Sequence, residues 1–326
     1  MGQVVFSGIQ PTGVIHIGNY IGAIRNWVAM QDSYDCLFCV VDYHAITVPY
    51  DVDEFAERTL QTVALNIAAG LDPEKSTIFV QSQVPEHTEL SWLLTTLTPV
   101  GDLERMTQYK EKAGRVGVFA GLMNYPVLMA ADILIYKAPV VPVGEDQIQH
   151  LELARELARR FNRRFGETFP EPQPYITRGA RIMALNDPTS KMSKSLPGSY
   201  IALTESDEGI RRAIRRAVTD TGPTEDGEMS PGVKNLFTLL EAFAPAEVYE
   251  SFLKDYHSGQ LRYKDLKEAL ADATIAVIGP IRERHRELMA KPDELKEIVR
   301  AGAERARRIA QETMREVRER MGIFRA

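Results

Sequence analysis

Two segments that lie far apart in the chain carry residue types suited to binding phosphate. The first, GIQPTGVIHIGNY at residues 8–20, follows a predicted strand and opens a predicted helix. The second, KMSKS at residues 191–195, places two lysines three residues apart. Free N–H groups at a helix N-terminus favour phosphate, and paired lysines stabilise charge that grows on a leaving group. Each segment alone is as compatible with a structural turn or an ordinary basic loop, so the chemistry requires that the fold bring them together.

A third feature is the single acid in the apolar stretch LMAADILIY, residues 128–136. An unpaired charge in such surroundings costs several kcal/mol. Asp132 therefore either pairs with a neighbouring side chain or stands on the wall of a pocket whose ligand is its missing partner. The sequence leaves both alternatives open.

The elements that must position these residues form two regions. Apolar strands alternate with amphipathic helices up to the KMSKS loop, which is typical of parallel βαβ units and predicts an α/β fold with a doubly wound, Rossmann-like sheet. After that loop only helical patterns follow. We therefore predict a catalytic domain over residues 1–196 and an all-helical domain over 197–326. The predicted strands are VVFSGI, CLFCVVD, TIFVQS and ARIMALND.

Composition restricts the class of protein. The chain has 326 residues, of which 44% are hydrophobic, and no apolar run reaches the roughly 18 residues of a membrane span. Its start lacks the features of a secretory signal, so a cytoplasmic location is expected. Cys36 and Cys39 form a C-x-x-C pair within a predicted strand, where they would point to opposite faces. We interpret them as small core residues, with a redox or metal pair as the alternative.

Charge is uneven along the chain. The net charge is −6, but residues 281–326 carry 13 Lys and Arg against 9 Asp and Glu, which is +4 and leaves −10 on the rest. A basic end on an acidic protein indicates a phosphate-bearing partner bound at one place. A solvated helix with many (i, i+4) ion pairs is the alternative.

The pairing of HIGN with KMSKS resembles the HIGH and KMSKS elements of class I aminoacyl-tRNA synthetases, with Asn19 in place of the final histidine. Within that class the chain is similar, in order and over almost its whole length, to the bacterial tryptophanyl-tRNA synthetases. The segments that carry this resemblance are FSGIQPTGVIHIGNY, VDYHAIT, QSQVPEH, LERMTQYKEK, YPVLMAADILIY, VPVGEDQIQHLELARELARRFN and GARIMALNDPTSKMSKS.

The resemblance implies a role for individual residues. Asp132 would accept the indole N–H of tryptophan, and the catalytic groups would be His16, Asn19, Lys191 and Lys194. Lys112 would be a further phosphate-binding lysine. The other residues implied at the amino acid are Phe6, His44, Tyr125, Met129, Val141, Val143 and Gln147, of which the apolar five are equally compatible with core packing. The residues implied at ATP are Gln10, Pro11, Thr12, Gly18, Asn19, Gly144, Glu145, Asp146, Ile182, Lys191, Met192, Ser193, Lys194 and Ser195.

The resemblance also implies the reaction and its partners. Tryptophan and ATP would give tryptophanyl-adenylate and pyrophosphate, with Mg²⁺ bound through the ATP phosphates and without a dedicated set of protein metal ligands. The tryptophanyl group would then pass to the tRNA for tryptophan. The family implies a homodimer joined by helices inserted at about residues 85–165, and a helical anticodon-binding domain. Tyrosine activation and a synthetase-like binding protein that no longer charges tRNA are the alternatives.

Overall fold

The structure is a computed structural model. It describes residues 2–106, 119–144, 147–176, 182–193, 196, 198–219 and 228–324. Within those residues no helix is both long enough and apolar enough to cross a membrane.

One parallel sheet forms the centre of the first region, which confirms the predicted α/β fold class. The strand order is β3-β2-β1-β4-β5, so the chain adds strands outward from β1 and then returns to the other side of β1. The first three strands coincide with predicted apolar runs, whereas the short strands β4 and β5 were not predicted. The strands are β1 Val4–Ile9, β2 Asp35–Val40, β3 Thr77–Val80, β4 Val140–Val143 and β5 Gln173–Ile176.

Helices cover both faces of the sheet, as alternating βαβ units require. Successive side chains of a strand point to opposite faces. Cys36 therefore packs with Val5 and Phe38 in one core cluster, and Cys39 packs with Phe6 and Leu37 in the other. Both cysteines are buried free thiols, as the packing interpretation predicts.

Helices lie between the strands of the first region, and four of the described ones fall within residues 85–165. A π-helical turn, Tyr20–Ile24, divides the first predicted helix. The α-helices are α1 Ile17–Asn19, α2 Arg25–Met30, α3 Asp42–Ala45, α4 Val52–Ala68, α5 Glu86–Thr95, α6 Val100–Glu104, α7 Ala120–Leu134 and α8 Ile148–Phe165.

The predicted strand ARIMALND is wrong for its described part, residues 182–187. Met183 makes only an isolated antiparallel bridge to Lys191. Ile182 and Leu185 are nevertheless buried, so the apolar alternation reflects a loop packed into the core.

The second region is all-helical where it is described, as predicted, and α11 is a helix that the sequence did not predict. The long α12 packs back on α4, and α13 packs on β3. The helices are α9 Asp207–Arg216, α10 Pro231–Phe243, α11 Ala246–His257, α12 Tyr263–Met289 and α13 Pro292–Arg320.

The last helix packs directly on the edge strand of the sheet. A Cβ added at Gly302 of α13 would lie 1.8 Å from the carbonyl oxygen of Ile78 in β3. Part of the basic surface of α13 is used in this packing. Arg307 bonds Glu86 at 2.9 Å, and Arg318 bonds Glu89. These arginines hold α13 against α5, so only part of the C-terminal positive charge is left for a partner.

Candidate active site

A cavity lies where the strand order reverses, between β1 and β4. In an open parallel sheet this switch point, at the carboxyl ends of the strands, is where ligands bind. β1 contributes Phe6 to the cavity wall, β4 contributes Val141, and the π-helical turn contributes Gly22; the cavity has a volume of about 280 Å³. Gly8 also lines the cavity. A side chain at this position would require a shift of Val41, because a Cβ there would lie 2.8 Å from Cγ1 of Val41.

All eight residues predicted at the amino acid line this one cavity, although they come from five separate parts of the chain. Gln10 and Gly144 of the predicted ATP set lie on the same wall. Other wall residues have no predicted role. Gly22 and Ala23 come from the π-helical turn, a feature frequent at functional sites. The predicted amino-acid residues on the wall are Phe6, His44, Tyr125, Met129, Asp132, Val141, Val143 and Gln147. The wall residues without a predicted role include Ser7, Gly22, Ala23, Trp27, Val41, Ile133 and Pro142.

Asp132 is buried, with 1% of its surface exposed, and it is bonded to protein. His44 Nε2 lies 2.7 Å from Oδ2. Gln81 Nε2 lies 2.7 Å and His87 Nδ1 2.6 Å from Oδ1. Of the two alternatives left open by the sequence, pairing with protein therefore holds, because three side chains distant in sequence bond to Asp132, and the acid also lines the cavity. Gln81 and His87 had no predicted role, although both lie in the segment QSQVPEH.

The surroundings of Asp132 keep it ionised. Burial by itself raises the pKa of a carboxyl group, but contacts with His44 and His87 outweigh burial and hold the pKa of Asp132 well below its usual range. The cavity thus has a mostly apolar wall with a fixed, charged hydrogen-bond acceptor. Such a wall is complementary to a flat apolar group that carries one N–H donor.

A second buried set of polar groups lies on the same wall. The Tyr125 hydroxyl is 2.9 Å from His150 Nε2, and His150 Nδ1 is 2.9 Å from Gln147 Oε1. The Tyr125 ring also meets the His44 ring edge-on at 6.0 Å. These contacts fix the side chains of three residues predicted at the amino acid, so they hold this part of the cavity wall in one arrangement.

The histidine turn begins α1. His16 is the N-cap, and its Nδ1 accepts a hydrogen bond from Gly18 N at 3.2 Å. Asn19 Oδ1 accepts from His16 N at 3.1 Å, which completes a capping box. The side chains predicted to bind phosphate thus also order the turn. Gly13 adopts a φ of 86°, which favours glycine and turns the chain toward the helix.

The turn and the lysine loop are adjacent in space, as their joint chemistry requires. A Cβ added at Gly18 would lie 3.0 Å from the His16 ring and 3.5 Å from the Met192 sulfur. Met192 N donates to the Ile182 carbonyl at 3.0 Å. Both side chains are 4% exposed and pack in the core cluster that contains Ile17. Lys191 is exposed.

Several predicted site residues lie outside the wall of the cavity or outside the described residues. Those placed in the turn or in the loop, away from the cavity wall, are Pro11, Thr12, His16, Gly18, Asn19, Ile182, Lys191, Met192 and Ser193. Those outside the described residues are Lys112, Glu145, Asp146, Lys194 and Ser195.

The sheet topology, the switch-point cavity and the adjacency of the histidine turn and the lysine loop are typical of a nucleotide-binding α/β protein. A family model described as tRNA synthetases class I (W and Y) matches residues 3–279. A tryptophan–tRNA ligase from Caldanaerobacter subterraneus subsp. tengcongensis is 50% identical over 326 residues, which cover 98% of each chain. One from Clostridium acetobutylicum is 48% identical and covers 99% of this chain and 97% of its own.

Among solved structures, the tryptophanyl-tRNA synthetase of Campylobacter jejuni complexed with ADP and tryptophan has a TM-score of 0.86 and 37% identity. It covers 98% of this chain and 99% of its own. The chain therefore belongs to the class I tRNA synthetases of the tryptophan and tyrosine group, and within it to the tryptophanyl-tRNA synthetases.

Proposed function

We propose that the chain is a tryptophan–tRNA ligase that activates L-tryptophan with ATP and transfers the tryptophanyl group to its tRNA. The observation that carries the proposal is the ionised Asp132 in the otherwise mostly apolar wall of the switch-point cavity. Phenylalanine would leave this acceptor without a ligand donor, and sites built around such a bond discriminate by on the order of 10⁴-fold. Tyrosine could donate from its hydroxyl, so its exclusion rests on the shape of the cavity.

The activation step needs no protein nucleophile. An oxygen of the tryptophan carboxylate attacks the α-phosphorus of ATP, the bond from that phosphorus to the bridging oxygen breaks, and pyrophosphate leaves. The turn with His16 and Asn19 holds the phosphates, and Lys191 and Lys194 stabilise the charge that develops on pyrophosphate. When bound through the ATP phosphates, Mg²⁺ would neutralise part of their charge. Positioning accounts for much of the remaining rate increase.

Pyrophosphate exchange into ATP tests the proposal directly. Purified protein should catalyse exchange that depends on tryptophan. Phenylalanine and tyrosine, assayed separately and in competition, should support far less exchange. Exchange driven equally by tyrosine would favour the alternative of tyrosine activation. The absence of exchange with every amino acid would favour a binding protein that no longer charges tRNA.

Replacing Lys191 by alanine should lower the maximal rate of exchange about 30-fold, less than the loss of a fully preorganised donor, because Lys191 is exposed. The KM for tryptophan should change little, since the lysine loop lies outside the cavity wall. Lys234→Ala, in α10, removes an equivalent charge as a control. An unchanged rate for the Lys191 variant would refute its role in charge stabilisation.

The helical second region, about residues 197–326, would bind the anticodon part of the tRNA. Arg307 and Arg308 are neighbours in α13 with different environments. Arg307 pairs with Glu86, whereas Arg308 is exposed and makes no ion pair with any described residue. RNA binding uses such exposed cations for phosphate contacts.

Arg308→Glu is expected to raise the KM for tRNA in aminoacylation at least several-fold, because it reverses a charge near the polyanion. Tryptophan-dependent exchange should be preserved, since it does not involve tRNA. Arg284→Glu, on the neighbouring helix, is the comparison for a charge reversal at an arginine that pairs with a described carboxylate, Glu287. An unchanged KM for tRNA in the Arg308 variant would contradict this role, whereas equal loss of exchange and aminoacylation would indicate a folding defect.

We also propose a homodimer in the cytoplasm, with the interface on the helices within about residues 85–165. Large apolar side chains stand exposed there, namely Trp92 at 67%, Val100 at 60% and Phe119 at 64%. Exposed apolar groups of this size favour an interface between protein chains. Sedimentation analysis of wild-type protein and of Trp92→Glu tests the proposal, since the substitution should produce monomers.

A further inference from the structure

A buried chain of hydrogen bonds runs from Tyr136 to Asp132. His87 stands between them and is 0% exposed. Its Nδ1 lies 2.6 Å from Asp132 Oδ1, and its Nε2 lies 2.6 Å from the Tyr136 hydroxyl. Neither His87 nor Tyr136 lines the cavity. Through these hydrogen bonds, both residues affect a ligand by way of Asp132.

The direction of this chain follows from the donors available. An ionised carboxylate only accepts, so His87 Nδ1 must carry a proton and donate it. In the imidazole tautomer with its proton on Nδ1, Nε2 is an acceptor and Tyr136 O–H donates to it. Burial raises the pKa of Tyr136 well above its usual value, which keeps this hydroxyl protonated. Tyr136 is held in place by Phe6, whose ring stacks on it at 5.5 Å.

The same contacts distinguish the two oxygens of Asp132. Oδ1 receives two hydrogen bonds, from His87 and Gln81, and neither of these residues lines the cavity. Oδ2 receives one from His44, which does line the cavity. Since each carboxylate oxygen has about two acceptor sites, the contacts among the described residues saturate Oδ1 and leave Oδ2 one site for a ligand in the cavity that Asp132 lines.

We propose that His87 and Tyr136 are positioning residues for substrate selection. His87, oriented by Tyr136, saturates Oδ1 together with Gln81 and so holds Asp132 ionised, with Oδ2 available to accept one N–H from the substrate. The inference rests on the proposed function, because it assigns to tryptophan the donor that occupies this site. Selectivity for the indole N–H then depends on His87 and Tyr136 as well as on Asp132.

The test uses the full-length protein and three variants. His87→Leu removes the donor to Asp132, His87→Asn keeps an amide donor near the position of Nδ1, and Tyr136→Phe removes only the hydroxyl that orients His87. Tyr249→Phe is the control, since it removes a hydroxyl from the helical region, where Tyr249 packs edge-on against Phe237. Exchange is measured with tryptophan and with its analogue in which sulfur replaces the indole N–H.

The KM for tryptophan should rise about 30-fold in His87→Leu and about tenfold in Tyr136→Phe, in the range for lost bonds to charged groups. His87→Asn should restore most of the affinity, and the kcat and the KM for ATP should stay close to wild type. The preference for tryptophan over the sulfur analogue should fall about tenfold in His87→Leu. The indole N–H of tryptophan would then bond to a weaker acceptor, because Asp132 has lost one of its donors.

The pH profile provides a readout that a packing defect would not change. Losing a donor raises the pKa of Asp132, so the acidic limb of kcat/KM for tryptophan should move to higher pH in His87→Leu and Tyr136→Phe. The fit to the pH profile must also include the described titratable groups around these hydrogen bonds. They are Cys39 of β2, Asp42 and His44 of α3, Glu86 of α5 and His150 of α8.

The outcomes separate the two claims. Wild-type protein without tryptophan-dependent exchange overturns the proposed function and this inference with it. Active wild-type protein, with variants that keep both the analogue preference and the pH profile, overturns the inference alone, even if the KM rises. If His87→Leu fails to fold, Tyr136→Phe and His87→Asn decide the result, because Tyr136→Phe removes a single oxygen and His87→Asn keeps a donor.

Discussion

Replacing Asp132 by asparagine is expected to lower kcat/KM for tryptophan by on the order of 10³-fold. The substitution preserves the size of the side chain, so the cavity keeps its shape. Three donors converge on this carboxylate, from His44, Gln81 and His87. An asparagine amide offers one acceptor oxygen and one donor group, so at least one of these donors, or the indole N–H, faces another donor.

The effect should be confined to the amino acid. KM for ATP is expected to stay within about twofold of wild type, because the described partners of Asp132, namely His44, Gln81 and His87, belong to neither the lysine loop nor the histidine turn. Asp32→Asn provides the control for removing a carboxylate, since Asp32 forms only an exposed ion pair with Lys75. Equal increases in both KM values for the Asp132 variant would contradict the assignment of the cavity to tryptophan.

Substitution of Gly302 by alanine is expected to destabilise the fold by about 2–4 kcal/mol. The new Cβ would lie 1.8 Å from the Ile78 carbonyl oxygen, a backbone atom of β3 that cannot rotate away. Relief requires α13 to move off the sheet, which also strains its ion pair between Arg307 and Glu86. Urea unfolding followed by circular dichroism measures the loss.

Gly279→Ala, in the neighbouring α12, is the matched control. No heavy atom lies within 4 Å of a Cβ built there, so the change in the free energy of unfolding should stay below about 1 kcal/mol. Gly302→Ala with the stability of wild type would show that α13 does not pack on β3 in solution. The part of the basic surface held in that packing would then be available to a partner.

Local patterns were enough to predict much of the fold. The strands β1, β2 and β3 are apolar runs bounded by helices, so their positions follow from the sequence. β4 and β5 are four-residue strands, and each contains a proline (Pro142 and Pro174). Proline lacks the backbone donor of a strand ladder, and this weakens the strand pattern. The strand predicted at ARIMALND was wrong for the opposite reason, because the apolar residues of its described part are buried without forming a strand ladder.

In the candidate site, too, the sequence motifs predicted individual residues but not the contacts between residues that are distant in the chain. The eight residues that the resemblance implies at the amino acid all line the cavity. The motif pair predicted that the histidine turn and the lysine loop are close together. The partners of Asp132 could not be predicted, because they are separated from it by 88, 51 and 45 residues. Pairing of α13 with α5 spans 221 residues or more. Such contacts depend on topology rather than on local pattern.

A crystal structure of the protein with bound tryptophan would show whether Asp132 accepts the indole N–H. We expect the indole ring to lie between Phe6 and the wall formed by Met129 and Val141, with its nitrogen about 2.9 Å from Asp132 Oδ2. The contacts of Oδ1 with Gln81 and His87 should be unchanged. An indole nitrogen bonded elsewhere, or an Asp132 carboxylate turned away from the ring, would refute the assignment of the cavity to tryptophan.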